Sequence, residues 1–496
     1  MSIELDHIIL DVDDAEASSS FYADILGFGC EGEEGPFTVV RVSEGLTLQL
    51  SPRGTAGGVH LAFAMSRPEF DRVFSRVRAA GIPYGDAFDR VGTQTGPGEE
   101  TGARGPGRTL YFLDPNRHLL EIRHHEREGG AARGETSAVG PLTVADFERL
   151  AHARLPRPAW DYYRSGADDE VTLARNTEAF ASYEIRYRAL VDVSAPRLAT
   201  SVLGTPVKTP ILVAPTAYHK LACPEGERAT ARAASRAGSL YVASTLATTT
   251  LEDVASACEA PRWFQLYVHK DRAFTTRLVE RAKAAGYVAI ALTCDTPVLG
   301  RRLADVRNGF GLTEGLALAN LQEILPPDLR SGPGSELARF VASRHDASLS
   351  WKDLDWLVAL AAPLPVVVKG IVRGDDAVRA LDHGARAVWV SNHGGRQLDL
   401  APATIDALVE VVAAVGDRAE VYVDGGVRSG THALVALGLG ARAVFVGRPV
   451  LWGLAADGEE GARSVLALLT EELDRAMRLA GCAELADTRH VVRRRG

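Results

Sequence analysis

The residues best able to do chemistry in this 496-residue chain stand together at Ser391-Asn392-His393-Gly394-Gly395-Arg396-Gln397-Leu398-Asp399. They follow the apolar run Ala387-Val388-Trp389-Val390, and so read as a buried strand's exit into a loop. His393 can take a proton near neutral pH, and Arg396, three residues on, can clamp a carboxylate at two points. The glycines between them let the backbone come close to a flat ligand. This pairing suits chemistry at the carbon beside a carboxylate. A polar strand-to-helix turn with no catalytic role is the alternative that this stretch alone leaves open.

A strand end carrying such groups needs a scaffold. Apolar runs alternate with amphipathic helical patterns at Ile211 to Ala217, Ser239 to Thr245, Trp263 to Val268 and Val288 to Cys294. The pattern continues at Pro365 to Ile371, Ala387 to Asn392, Glu420 to Gly425 and Ala443 to Gly447, after a helical region from Thr143 to Thr177. About eight buried strands, each followed by a helix, predict an α/β fold, a closed (β/α)8 TIM barrel. Gly300 to about Ser350 is a long insertion, and its Pro326-Pro327 and Ser331-Gly332-Pro333-Gly334 predict a mobile lid.

Barrel chemistry sits at the C-terminal strand edges, and the polar residues fall there. Pro215, Thr216 and Ala217 end the first strand, Ser244 the second, Gln265 with Tyr267 the third, and Thr293 with Asp295 the fourth. Lys369 and then Ser391 with His393 follow. The last two strands deliver Asp424-Gly425-Gly426-Val427-Arg428 and Gly447-Arg448-Pro449, glycines plus arginines that predict a phosphate site. Either Gly-Gly turn alone could be a tight loop. Lys369 could reach out to solvent, or stabilise negative charge on a reduced ring. Asp295 could be an ordinary loop carboxylate, or could orient His393 and stabilise its imidazolium. Arg302 opens the insertion, where surface arginines are common.

Composition narrows the class. A formal net charge of -9 with no basic block argues against a nucleic-acid partner. Five scattered cysteines show neither metal spacing nor a disulfide framework. The N-terminus lacks a basic segment leading into an apolar core, and no apolar run approaches the roughly 20 residues needed to cross a bilayer. A cytoplasmic enzyme without membrane partners is expected.

From about Leu142 on, the chain resembles the FMN-dependent α-hydroxy-acid oxidase family. The likeness is carried by Asp161-Tyr162-Tyr163 with Ser165-Gly166-Ala167, Ala214 to Ala217, Phe264-Gln265-Leu266-Tyr267 and Leu292-Thr293-Cys294-Asp295-Thr296-Pro297. Gly300-Arg301-Arg302, Ser391 to Asp399, Asp424 to Arg428 and Gly447-Arg448-Pro449 extend it. The resemblance implies oxidation of an (S)-2-hydroxy acid to a 2-oxo acid with FMN. It makes His393 the base, assisted by Asp295, with Arg302 and Arg396 on the substrate carboxylate and Tyr162 and Tyr267 on substrate oxygens. It assigns FMN to Pro215, Thr216, Ala217, Ser244, Gln265, Thr293, Lys369, Ser391, Asp424, Gly425, Gly426, Val427, Arg428, Gly447 and Arg448, and implies a tetramer or larger homo-oligomer. Glycolate oxidases carry tryptophan where this chain has Leu246, and Tyr218 adds an aromatic wall, so mandelate or 4-hydroxymandelate is expected. A lactate-like acid, kept open by Ala217, and a modified peptide are the alternatives.

Residues 1–125 resemble the vicinal oxygen chelate (glyoxalase/bleomycin-resistance) superfamily. The resemblance rests on Leu5-Asp6-His7-Ile8, Phe21 to Phe28 and Phe112-Leu113-Asp114-Pro115-Asn116 leading to Leu120-Glu121-Ile122. Short strands around two helices, Ala15 to Leu26 and Arg67 to Ala80, predict an α+β domain of paired βαβββ units. Metal-binding members place ligands at positions matching His7, Gln49, His60 and Glu121, a set suited to a divalent ion; ordinary strand residues of a metal-free domain are the alternative. The low-complexity stretch 126–141 reads as a linker to a barrel domain at 142–496. A binding or resistance protein with an idle barrel is disfavoured by His393, Arg396 and Lys369, which such a barrel would not need.

Overall fold

The computed structural model describes residues 7–43, 46–102, 105–124, 140–312, 316–325 and 343–495. The chain divides into two compact units, Met1–Ser137 and Ala138–Gly496. Nearly all of the expected linker, and the Pro326-Pro327 and Ser331 to Gly334 stretches of the expected lid, lie outside the described residues.

The N-terminal unit is one pattern written twice. Strand His7–Asp11 leads into helix Ala15–Phe21 with a π turn at Tyr22–Leu26, then strands Gly29–Glu34, Phe37–Ser43 and Leu46–Ser51. The second copy runs His60–Ala64, helix Arg67–Ala79, Tyr84–Gly85, Gly105–Leu113 and Leu119–His124, with Gly98–Gly102 paired onto Gly105–Leu113. In each copy the first strand pairs parallel with the last. Local signals set the helices: Asp14 accepts from Ala17 N, and Ser66 with Glu69 forms a capping box. Leu10, Leu48 and Leu50 share one core with Phe70, Phe112, Leu120 and Ile122, so the two copies bury each other's apolar faces. Three strands escaped the sequence pattern. Gly29–Glu34 is exposed at every position and so shows no alternation, Tyr84–Gly85 is two residues long, and Gly98–Gly102 is a glycine-flanked addition to its neighbour.

In the second unit, helices Val144–Arg154, Arg157–Arg164 and Val171–Glu178 precede a closed barrel of eight parallel strands. The strands are Ile211–Val213, Tyr241–Ser244, Arg262–Leu266, Ala289–Thr293, Val366–Ile371, Ala387–Val390, Glu420–Asp424 and Ala443–Val446. All eight coincide with the apolar runs. Alternate residues point two ways. Leu212, Val242, Trp263, Ala291, Val367, Trp389, Tyr422 and Phe445, one from each strand, form a single buried cluster, the filled barrel interior. Residues of opposite parity, such as Val213, Phe264, Ile290 and Val388, pack into the larger core with the helices. The Trp389 and Phe445 rings stack 3.7 Å apart and help fill the barrel interior. Among the described residues no helix is long and apolar enough to cross a membrane.

The C-terminal helix Arg448–Ala480 breaks at Asp457 and Gly458, and its two legs touch through Gly453 and Gly461. A Cβ added at Gly461 would lie 2.0 Å from the Gly453 carbonyl oxygen, which is backbone and cannot step aside. Gly461→Ala is therefore expected to destabilise the protein by about 1–3 kcal/mol, seen as a lower midpoint of thermal unfolding. An unchanged midpoint would show that the two legs separate freely.

Candidate active site

A cavity of about 800 Å³ opens at the barrel mouth, and every one of the eight strand ends contributes to its wall. Pro215, Thr216 and Ala217 come from the first, Ser244 from the second, Gln265 and Tyr267 from the third, Thr293 from the fourth and Lys369 from the fifth. The sixth supplies His393 and Arg396, the seventh Asp424 to Arg428, and the eighth Gly447 and Arg448. Tyr162, from the helices before the barrel, and Arg302, from the insertion, complete it.

His393 sits at φ 59°, a left-handed conformation that a non-glycine residue rarely holds. The turn aims its ring across the mouth. Nδ1–H donates to Asp295 Oδ1 at 2.8 Å, which leaves the Nε2 lone pair free to accept a proton. Tyr267 Oη lies 3.3 Å from that Nε2. Burial, followed by Lys369 and Arg302, pushes the His393 pKa below its ordinary value despite the opposing effect of Asp295, which favours the neutral ring. Burial also disfavours the Asp295 anion, but His393, Lys369 and Thr296 outweigh it and hold the carboxyl below its usual range. Burial raises the Tyr267 phenol, which stays protonated.

Two pairs of half-buried arginines bracket this centre. Arg396 Nη1 donates to the Tyr162 and Ser165 carbonyls at 2.6 and 2.8 Å, and its guanidinium sits 4.8 Å from the centre of the Tyr162 ring. Burial and the neighbouring Arg302 bring Arg396 down to about 10. Arg302 Nε is buried without a partner among the described residues. At the other end, Arg428 donates to Val427 O at 2.9 Å, and Arg448 donates to the carbonyls of Tyr163, Gly394 and Ser165. Burial weakens both cations, and Arg396 and Arg428 weaken Arg448 further. None of the four arginines forms a close ion pair with a carboxylate among the described residues, and Asp305 in the cavity wall offsets Arg302 and Arg396 only in part. Such a charge excess calls for two anions, one at each end.

The floor between them is a hydrogen-bonded chain. Lys369 Nζ donates to Ser391 Oγ at 2.8 Å and pairs with Asp424 Oδ2 at 3.3 Å, while Ser391 Oγ donates to Asp424 Oδ1 at 2.8 Å. Ser391 also accepts from His393 N at 3.1 Å. Its hydroxyl is thus spent behind the wall, and neither Ser391 nor Asp295 reaches the cavity itself. Gln265 Oε1 accepts from Ser244 Oγ at 3.2 Å, and Gln265 Nε2 donates to Thr293 Oγ1 at 2.9 Å. At Gly426 (φ 79°) a Cβ would fall 1.7 Å from Asn176 O, so only glycine fits this turn.

Several residues of the site went unread. Asn392 and Asn176, 216 positions apart, exchange amide hydrogen bonds of 2.8 and 2.9 Å and anchor the His393 loop. Phe310 stacks on Tyr162 at 4.3 Å and 13° and lines the cavity with Tyr218 and Leu246. An Asn or Phe carries no local sign of such distant partners.

The expected metal set gathers only in part. His60 Nε2 lies 3.1 Å from Glu121 Oε2, and Arg123 Nη1 lies 2.5 Å from Glu121 Oε1. His7 and Gln49 stand in the matching relation on the other sheet, because Ile9 registers with Gln49 as Ala62 does with Glu121. Among the described residues no three His, Cys, Asp or Glu side chains come together as a metal site. Both oxygens of the set's one carboxylate are engaged, one by His60 and one by the buried Arg123 guanidinium.

A cavity of about 800 Å³ at the mouth of a filled (β/α)8 barrel, lined by Arg302, Arg396, Arg428, Arg448 and a carboxylate-backed histidine, is a site for an anionic ligand. Residues 151–494 match the model of the FMN-dependent dehydrogenase family, and residues 4–122 match the glyoxalase/bleomycin resistance protein/dioxygenase superfamily. The chain is 52% identical over 357 residues to an L-lactate oxidase of Nostoc sp., covering 71% of this chain and 98% of that protein. It is 48% identical over 344 residues to glycolate oxidase of Spinacia oleracea, covering 69% and 93%. A solved mandelate oxidase holding (S)-4-hydroxymandelic acid superposes with a TM-score of 0.68 at 42% identity, over 71% of this chain and 99% of that one. This chain belongs to the FMN-dependent hydroxy-acid oxidase/dehydrogenase family, joined to an N-terminal glyoxalase-like domain.

The residues fit FMN. Arg428 and Arg448 with the Gly425–Gly426 turn offer cation and close backbone to a phosphate, and Lys369 offers a buried positive charge to the ring. Arg428→Leu is expected to weaken FMN binding by about tenfold or more, the scale of one charge-assisted contact, in a titration of apoprotein with FMN. Unaltered affinity would remove Arg428 from the phosphate.

Proposed function

We propose that the barrel oxidises an (S)-2-hydroxy acid with a bulky, aryl side chain, mandelate or 4-hydroxymandelate, to the 2-oxo acid. The observation that carries this reading is the unmatched charge at Arg302 and Arg396 beside a neutral, carboxylate-backed His393. Arg302 and Arg396 hold the substrate carboxylate, Tyr162 and Tyr267 meet its oxygens, and His393 Nε2 takes a proton from the hydroxy-acid carbon or its hydroxyl. Asp295 stabilises the imidazolium so formed. Bound FMN supplies the acceptor for the two electrons that leave.

The side-chain end of the cavity supports the aryl choice. Leu246, Tyr218, Phe310 and Val298 present apolar and aromatic surface in the cavity wall, with Phe310 and Tyr218 packed against Tyr162. An aryl ring gains both burial and stacking against such a wall. The L-lactate oxidase relative favours a second reading, a short-chain acid, because nothing in a roomy apolar wall prevents a small substrate from binding.

Anaerobic mixing separates the two. (S)-Mandelate is expected to bleach the flavin bands at concentrations where glycolate does not; bleaching by lactate in preference to mandelate overturns the aryl reading. Leu246→Trp is expected to raise KM for mandelate by roughly 10- to 200-fold while sparing glycolate, since a side chain's worth of pocket volume is removed.

The base role makes a signed pH prediction. A lowered His393 pKa keeps the ring deprotonated to lower pH, so kcat/KM falls only as pH drops through a value below the ordinary 6.5. Asp295→Asn removes the group that raises this pKa, so the acid limb moves further down while kcat drops by about 10²–10⁴. A limb that moves upward overturns the assignment.

A further inference from the structure

The chain returning from the insertion is stitched onto the exit of the third barrel strand. Lys270 N donates to Arg344 O at 2.9 Å and Asp346 N to Val268 O at 3.0 Å, with His269 and His345 opposite each other in an antiparallel bridge. Arg272 pins the seam to Asp346 at 2.7 Å. Two imidazoles are thereby brought up behind Tyr267. His345 lies against the Tyr267 ring, centroids 4.5 Å apart and planes inclined by 22°, and it lines the cavity. His269 meets His345 edge-on at 5.6 Å.

Three of the four ring nitrogens are idle. His345 Nε2 and both nitrogens of His269 are buried with no hydrogen-bond partner among the described residues. Burial keeps both rings neutral, pushing His345 to about 4 and His269 to about 3. A buried polar edge left idle is uncommon and asks for a reason. What His345 does offer is a flat face on the one aromatic ring that reaches the base. The Tyr267 and His393 planes are inclined by only 16°, so three rings run nearly parallel across the wall. The Tyr267 hydroxyl is at the far end of its ring, where a small tilt becomes a large displacement from His393 Nε2.

We propose that His345 is a positioning residue: by stacking on Tyr267 it fixes the plane of the phenol and so holds its hydroxyl beside His393. The inference rests on the reading of Tyr267 as a substrate contact. It adds a site determinant contributed by the insertion, outside the strand ends. Because the face and not the nitrogens does the positioning, a plain aromatic ring at 345 should serve as well.

A double-mutant cycle in the FMN-loaded enzyme tests this. His345→Ala is expected to lower kcat by roughly ten- to a hundredfold, the scale of an ångström-sized misplacement, with FMN affinity unchanged. His345→Phe is expected to restore kcat to within about threefold, since the stacking area is kept. Added to Tyr267→Phe, His345→Ala is expected to cost almost nothing more, because residues acting through one another do not add. Multiplying losses, a Phe variant as impaired as Ala, or wild-type kcat in His345→Ala each overturn the proposal. A crystal structure of His345→Ala, or of His345→Leu should the alanine variant not fold, gives a readout that no choice of substrate affects. Tyr267 is expected to turn away from His393, and an unmoved ring overturns the role even if the oxidase reading holds.

Discussion

Unmatched positive charge at the barrel mouth is the constraint on which the rest of the site depends. Arg396, Arg428 and Arg448 are held at one cavity by carbonyl oxygens, Arg302 Nε has no partner among the described residues, and Lys369 is paired with Asp424. Taking a charge out of water costs several kcal/mol even after relaxation, and like charges add to that cost. A protein tolerates this only where anions return the energy on binding. The arrangement also separates two tasks. Arg428 and Arg448 suit the phosphate of FMN, and Arg302 and Arg396 suit the carboxylate of the proposed substrate. His393 lies between them.

Most of that arrangement was readable from residue type because strand ends are local features. An apolar run followed by Lys, Ser-Asn-His or Asp-Gly-Gly announces both the strand and the group it delivers, and all eight barrel strands came from such runs. The positions that escaped are those whose role is made by distance in the chain. Asn176 matters because it meets Asn392, Phe310 because it stacks on Tyr162, and His345 because the insertion folds back onto Tyr267. Ser391 shows what residue type leaves out. Its type and place suit a cofactor contact, but its one hydroxyl is already shared among Lys369, Asp424 and His393 N.

The N-terminal unit shows how far a pattern can be trusted. Its duplicated βαβββ order was legible because helices and alternating strands recur, while the all-exposed strand Gly29–Glu34 was not. The same duplication puts His7 and Gln49 in the register relation that His60 and Glu121 occupy. Residue types at the right spacing therefore suggested a metal. Arg123, two positions past Glu121 on the same face of its strand, changes the chemistry by giving the carboxylate a cation of the protein's own. A ligand set is defined by what its atoms are free to bind, and spacing does not report that.

Strain and polarity in the barrel point the same way. His393 is held at a positive φ, and the loop that holds it is fastened by Asn176, by Ser391 and by Arg448 on the Gly394 carbonyl. Arg448 thus belongs to the phosphate end and also braces the turn that aims the base. One side chain therefore serves both the cavity wall and the loop that aims the imidazole, so the two cannot be altered independently at this position.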